Sequence, residues 1–228
     1  MPAPTSEVRM VREGEPGPGN GVAIVIPAYN EEEHIAAVLA AVTALPEVEQ
    51  VIVVSDGSVD RTPEIARYCG ARVIELPVNQ GKGAAMRIGS EMAVGADIVV
   101  FLDADLVGLT PGHVRALLDP VLRGETEATV GVFEGGRVST DLAQLLAPML
   151  SGQRALRRHL LADLELEDTG FGVEVALHRA LKRLGVDVRE VVLQDLSQVM
   201  KEEKLGLAKG LAARMKMYWE ILREIPKG

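Results

Sequence analysis

Residues 98–105 read IVVFLDAD, a run of five apolar residues followed by two aspartates that flank an alanine. A short apolar run rich in β-branched side chains and bounded by polar residues is the pattern of a buried strand. Residues two apart in an extended chain project to the same side, so Asp103 and Asp105 can aim their carboxylates at one point just beyond that strand. Three earlier runs have the same form: VAIVI at 22–26, VIVV at 51–54 and RVIEL at 72–76. Between them lie helical patterns over 31–45, near 62–69 and near 82–94. Such alternation predicts βαβ units and an α/β fold with a mostly parallel sheet flanked by helices. In the first helix Ile35, Val38, Leu39 and Val42 share one face and demand burial against the sheet. The second has Thr62 as its expected N-cap, Pro63 in the first turn and Gly70 just past the end. Cys69 then reads as a small core residue.

Beyond Asp105 the rhythm changes. A helix is expected over 111–123, a strand over 128–133, a turn at Gly135-Gly136 and a helix over about 140–161. A further helix follows at 173–184, then a strand at 186–193. A closing helix at 207–224 carries Leu211, Met215, Tyr218 and Leu222 at helical spacing, a packing or dimer face that would suit a homodimer. Residues 1–21, rich in proline and glycine, read as a mobile leader. Residues 22–107 and 108–228 then form two halves of one domain, the second ending in a helical region.

The chain has 228 residues, 47% of them hydrophobic and 25% charged, enough for one well-buried core. Its net charge of -9 excludes the basic footprint that nucleic-acid binding needs. An anionic ligand must therefore meet locally placed cations or a metal. The single cysteine excludes an intramolecular disulfide and a cysteine-rich zinc site, which makes the cytoplasm the expected compartment. The leader lacks the apolar stretch of a signal peptide, and no apolar run reaches the roughly 18 residues of a membrane span. His34, His113, His159 and His178 are scattered and offer no metal-ligand spacing.

In an open parallel sheet, ligands collect beyond the carboxyl ends of the strands. The segments that stand there are polar: Pro27-Ala28-Tyr29-Asn30-Glu31-Glu32, Ser55-Asp56-Gly57-Ser58-Val59-Asp60, Asn79-Gln80-Gly81-Lys82-Gly83 and Asp103-Ala104-Asp105. Two convergent carboxylates at the end of an apolar strand are costly unless a cation joins them, and oxygen ligands suit Mg2+ or Mn2+. Gly81-Lys82-Gly83 opens a helix, where backbone N–H groups, the helix dipole and the Lys82 ammonium favour an anion. Met86 stands where a dinucleotide fingerprint needs its third glycine, and Lys82 is followed by glycine rather than the serine or threonine of a Walker loop. Asp56 is placed to accept hydrogen bonds from a nucleobase or ribose. Ser58 and Asp60 are expected to shape the turn and cap the next helix. Acidic Glu31 and Glu32 also suit a helix start on electrostatic grounds alone.

As a set, VAIVIPAYNEE, VVSDGSVDRT, NQGKGAAMRIG and FLDADL resemble the nucleotide-sugar domain of the family-2-like glycosyltransferases, which have the GT-A fold. The resemblance implies that Pro27, Ala28, Tyr29, Glu31 and Asp56 line the nucleoside, with Asn30 and Ala104 in the same donor set. It implies Lys82 near the base or phosphates, and Asp103 and Asp105 on the metal that holds the diphosphate of a UDP- or GDP-hexose. Farther along, GGRVSTDLAQLLAP, SGQRAL and TGFGVEVAL are similar to stretches of the glucosyl-3-phosphoglycerate synthases, retaining enzymes that move glucose to a small phosphorylated acceptor. By that likeness Gly136, Arg137 and Ser139 hold the acceptor phosphate, and a guanidinium fork does match phosphate oxygens in pairs. Glu174 would accept from a sugar hydroxyl, which with Asp105 and Lys82 makes the expected catalytic set. Where these enzymes carry a histidine metal ligand, alignment of VVLQDLSQVMKEEKLG puts Gln198, a weaker oxygen ligand. The alternatives are transfer to a polyprenyl phosphate, or a non-catalytic protein that binds nucleotide sugars.

Overall fold

A computed structural model describes residues 21–133, 148–162 and 172–198 of the chain. The elements run β1 (Val22–Ala28), α1 (Ile35–Thr43), β2 (Val48–Asp56), α2 (Thr62–Tyr68), β3 (Arg72–Leu76) and α3 (Lys82–Met92). They continue with β4 (Ile98–Phe101), β5 (Leu106–Val107), α4 (Pro111–Leu122), β6 (Ala128–Phe133), β7 (Arg154–Arg157) and a 3-10 turn at Arg158–Leu161. The last described are α5 (Val173–Arg183), β8 (Val188–Leu193) and β9 (Ser197–Gln198).

Seven strands form one sheet in the order β3-β2-β1-β4-β7-β6-β8. β1, β2, β3 and β4 pair in parallel, β7 runs antiparallel to both β4 and β6, and β6 is parallel to β8. The mostly parallel sheet expected from the sequence is therefore present, with strands of both halves in it. The near-continuous apolar runs of β1 and β4 are explained by burial on both faces. One core packs Ile35, Val38, Leu39 and Val42 of α1 and Val114, Leu117, Leu118 and Val121 of α4 against Ile24, Ile26, Ile98 and Val100. The other packs Ala85 and Met86 of α3 and Val173, Leu177 and Leu181 of α5 against Val25, Val99, Phe101 and Leu156. Cys69, the residue after α2, packs partly buried against the first core.

Two expectations give way. The helix expected over 140–161 cannot cover Arg154–Arg157, which form β7, or the 3-10 turn after it. Alanine, leucine and arginine favour helix, but pairing with β4 and β6 on either side satisfies this backbone and outweighs propensity. Thr62 is not the N-cap of α2: that position falls on Arg61, and Thr62 is the first helical residue. Asp60 caps in its place, with Oδ1 accepting from Thr62 N at 3.0 Å and from Thr62 Oγ1 at 2.6 Å. The Gly135-Gly136 turn and the helix expected over 207–224 lie outside the described residues, as does the leader up to residue 20.

Candidate active site

β1, β2 and β4 end at one rim of the sheet, and the loops after β1 and β2 are bound to each other. Asn30 N donates to Ser58 Oγ at 3.1 Å, Val59 N to Asn30 Oδ1 at 2.9 Å, Glu31 N to Thr62 Oγ1 at 2.8 Å and Glu32 N to Asp60 Oδ2 at 3.1 Å. Ser58 and Asp60 thus do more than shape their own turn: they fasten the loop after β1 to the loop after β2. Ala28 and Glu31 are buried, while Tyr29 keeps 49% of its surface exposed beside them. That leaves an open aromatic face at the rim.

Asp56, buried at the end of β2, accepts from Gln80 N at 2.7 Å through Oδ1 and from Gly81 N at 2.9 Å through Oδ2. Gly81 has a φ of 92°, a conformation open to glycine at little cost, and it is the N-cap of α3. The carboxylate expected to face a nucleoside therefore also holds the loop that delivers Lys82. It sits at the positive end of α3, where an anion is favoured.

Lys82 Nζ reaches both Asp103 Oδ1 and Glu174 Oε1, the latter at 2.6 Å. Burial works against the ammonium, yet the charges of Asp103 and Glu174 outweigh it and raise its pKa above the ordinary lysine value. Burial likewise disfavours the Asp103 carboxylate, but Lys82 and hydrogen bonds from Gln153 and Gln198 keep its pKa below the usual range. Gln153 Nε2 donates to Asp103 Oδ2 at 2.9 Å. Gln198 Nε2 donates to the same Oδ2 at 2.8 Å and to Asp105 Oδ1 at 2.9 Å. The ribbon of β5 and β9 sets Gln198 opposite Leu106, next to Asp105 in sequence.

The two aspartates expected to converge do so, since one nitrogen touches an oxygen of each. Oxygens of two carboxylates facing one point fit a hard divalent cation that completes its shell with water and substrate phosphates. Gln198 stands at the same point, and its carboxamide has an oxygen to offer. Among the described residues no group of three or more His, Cys, Asp and Glu side chains is placed to hold a metal.

Three residues here escaped the sequence reading. A Cβ at Gly152 would lie 2.5 Å from Lys82 Nζ and 2.6 Å from Asp103 Oδ1, so only glycine lets the ion pair rest on the backbone. Gln153 is fully buried against Asp103, and Arg154 is 1% exposed behind it. The signal was SGQRAL itself, whose polar residues look solvent-facing when the stretch is read as helix. Gly136, Arg137 and Ser139 lie outside the described residues.

The sequence model of glycosyl transferase family 2 matches residues 23–178, which run from within β1 into α5. The chain belongs to this family. A glucosyl-3-phosphoglycerate synthase of Mycobacterium tuberculosis is 36% identical over 207 residues, 74% of this chain and 63% of that protein. The chain thus spans less than two thirds of the length of that relative. A dolichyl-phosphate hexose transferase of Haloferax volcanii is 34% identical over 188 residues, 75% of this chain and 80% of that protein. The crystal structure of the mycobacterial synthase with Mn2+, UDP-glucose and phosphoglyceric acid superposes with a TM-score of 0.68 at 32% identity, covering 87% of this chain and 79% of that one. Another crystal structure of that enzyme, with Mg2+ and UDP, superposes at 0.67 and 32% identity over 86% of this chain and 79% of that one. These likenesses establish the GT-A fold for a family 2 chain.

Proposed function

We propose that this family 2 glycosyltransferase moves a hexose, with glucose the foremost candidate, from a nucleotide-diphospho-sugar to a small phosphorylated acceptor such as 3-phosphoglycerate, with retention. The observation that carries the reading is the meeting of Asp103, Asp105, Lys82 and Glu174 at the carboxyl-end rim of the sheet. Support comes from the mycobacterial synthase, whose structure holds Mn2+, UDP-glucose and phosphoglyceric acid together.

In this reading Pro27, Ala28, Tyr29, Asn30, Glu31, Asp56 and Ala104 form the nucleoside side of the donor site. Asp103 and Asp105, with Gln198 as a weaker oxygen ligand, would hold Mg2+ or Mn2+. A bound divalent ion supplies positive charge to the diphosphate as it leaves. Lys82 supplies a second, fixed positive charge on the same side, already oriented before the sugar departs. Glu174 orients the sugar through a hydroxyl, and Gly136, Arg137 and Ser139 hold the acceptor phosphate. Catalysis here depends on position and charge rather than on a protein nucleophile.

A second reading, transfer to a polyprenyl phosphate, is favoured by the Haloferax relative, which this chain matches over 80% of its length. Among the described residues no helix is long and apolar enough to cross a membrane. Turnover of a panel of nucleotide sugars with 3-phosphoglycerate or a short polyprenyl phosphate, with and without Mn2+, followed by nucleoside diphosphate release, separates the two. Release with neither acceptor from any donor would overturn both.

A further inference from the structure

Arg154 heads the fully buried side chains of the described residues by size, and it is an arginine. It lies on β7, flanked by Ala155 in the core that packs on α1 and α4. Its Nε donates to Ser151 O at 3.1 Å and its Nη2 to Pro148 O at 2.6 Å. Nη1 is buried with no hydrogen-bond partner among the described residues. Burial pulls the guanidinium pKa down to about 10, with the charge of Glu174 acting the other way, so the group is still a cation at neutral pH. The same charge acts on a second group of α5: burial first, then Arg154 and Lys182, hold the His178 imidazole below its usual pKa. Along β7 Arg154 shares the face of Leu156, whose core includes Val173, Leu177 and Leu181 of α5, the helix that carries Glu174.

As a packing element this residue is a poor choice. Among the described residues its guanidinium has no hydrogen-bonded carboxylate and one nitrogen without a partner, and a buried charge so placed costs stability that an apolar side chain of similar length would not. What the guanidinium does is hold one stretch of chain. Pro148 and Ser151, the residues whose carbonyls it grips, lead directly into Gly152 and Gln153. Gly152 gives Lys82 and Asp103 the space they occupy, and Gln153 donates to Asp103 Oδ2. Ser151 Oγ donates to Gln153 Oε1 at 3.0 Å and accepts from Gln153 N at 3.3 Å, so carbonyl, hydroxyl and carboxamide move together.

We propose that Arg154 is a positioning residue of the donor site: by tying the carbonyls of Pro148 and Ser151 from the buried side, it sets the Ser151-Gly152-Gln153 turn against Asp103 and Lys82. The proposal rests on the reading of Asp103 and Lys82 as donor-site residues. It assigns Arg154 no contact with substrate. A turn displaced by a fraction of an ångström would move the Asp103 carboxylate and the Lys82 ammonium while leaving the rest of the rim in place.

The test compares Arg154→Met and Arg154→Lys with the natural chain in melting temperature, hydrogen exchange of the segment around 151–153 and nucleoside diphosphate release. In Arg154→Met the lost cost of a buried charge offsets the two carbonyls left without a donor, so Tm should stay within about 3 °C. Exchange around 151–153 should rise about tenfold locally. kcat should fall about tenfold or more while donor KM stays within about threefold, because orientation rather than affinity is lost. Arg154→Lys, which keeps the charge and one carbonyl contact, should return kcat part of the way. Natural kcat and natural exchange in Arg154→Met would overturn the proposal, as would both variants failing to fold, which would make Arg154 purely structural. If the natural chain itself releases no nucleoside diphosphate, the proposed transfer fails, and the exchange measurement alone decides whether Arg154 holds the turn: a local rise at unchanged Tm supports it, and no rise overturns it.

Discussion

Lys82 Nζ stands 2.6 Å from Glu174 Oε1, across 92 positions of sequence, and the same nitrogen pairs with Asp103. One ammonium thereby joins the first turn of α3, the loop after β4 and the first turn of α5. Without it two carboxylates would face each other with no cation between them.

Lys82→Met should therefore lower kcat/KM by about two orders of magnitude or more, the usual effect of removing one fixed donor from a developing charge. It should also cost about 1–3 kcal/mol of stability, because partly buried carboxylates lose their partner. The double variant Lys82→Met/Glu174→Gln should be less unstable than the two single effects added together, with a coupling of about 0.5–3 kcal/mol. Strict additivity in thermal or urea unfolding would show that the contact carries no energy.

Much of this site is legible in sequence, for a physical reason. Asp103 and Asp105 follow an apolar run buried on both faces, which marks them as a rim pair, but strand periodicity is not what joins them: β4 ends at Phe101, Ala104 and Asp105 lie in a turn, and Gln198 bridges the two carboxylates. Lys82 follows from the glycine at a helix start. Asp56 is legible as an acceptor at a strand tip, but not as the clamp on Gln80 and Gly81, because that bond joins loops far apart in sequence. Arg154 and Gly152 are hidden for a different reason. β7 is inserted between β4 and β6, and helix-favouring residues there become strand only through pairing that sequence periodicity does not record.

Gly152→Ala tests the close approach directly. The added Cβ would fall within 2.7 Å of Lys82 Nζ and of both Asp103 carboxylate oxygens, so the ion pair must shift. Activity should fall about a hundredfold, the scale of a misplacement near 1 Å, with far-ultraviolet circular dichroism unchanged. Natural activity would mean that the turn yields without moving the pair.

His178 predicts a pH dependence of stability. Burial, with Arg154 and Lys182 nearby, lowers its folded pKa below the ordinary value of about 6.5. Above that value both states are unprotonated and its contribution is fully present. As pH falls from about 6.5 towards the folded value, the unfolded chain takes up a proton that the native chain does not, and stability is lost. His178→Gln should remove that part of the slope. Identical pH profiles of urea unfolding for the two proteins would exclude it.

Arg137 lies outside the described residues, and its expected role comes from family resemblance. If it grips the acceptor phosphate, Arg137→Ala should raise acceptor KM by the equivalent of roughly 1.5–3 kcal/mol, the worth of a charge-assisted bond, with donor affinity unchanged. An equal loss of donor binding would move Arg137 to the nucleotide side.

Gln198 touches Asp103 and Asp105 through its amide nitrogen, at 2.8 and 2.9 Å, which puts it at the point where a cation would meet the two carboxylates. As a metal ligand it must turn its amide, because the nitrogen only donates and the oxygen alone can coordinate. A neutral amide oxygen is a weak ligand, and Gln198→His replaces it with an imidazole nitrogen better suited to Mn2+. The variant should bind Mn2+ about tenfold more tightly, read from the free-ion electron paramagnetic resonance signal, and should gain activity at limiting but not at saturating Mn2+. Gln198→Ala should move the Mn2+ titration the other way. Its unfolding without metal should also come earlier, since Asp103 and Asp105 would lose their shared donor. If both substitutions leave the titration where it was, Gln198 serves only to hold the carboxylates together, and the metal is bound without it.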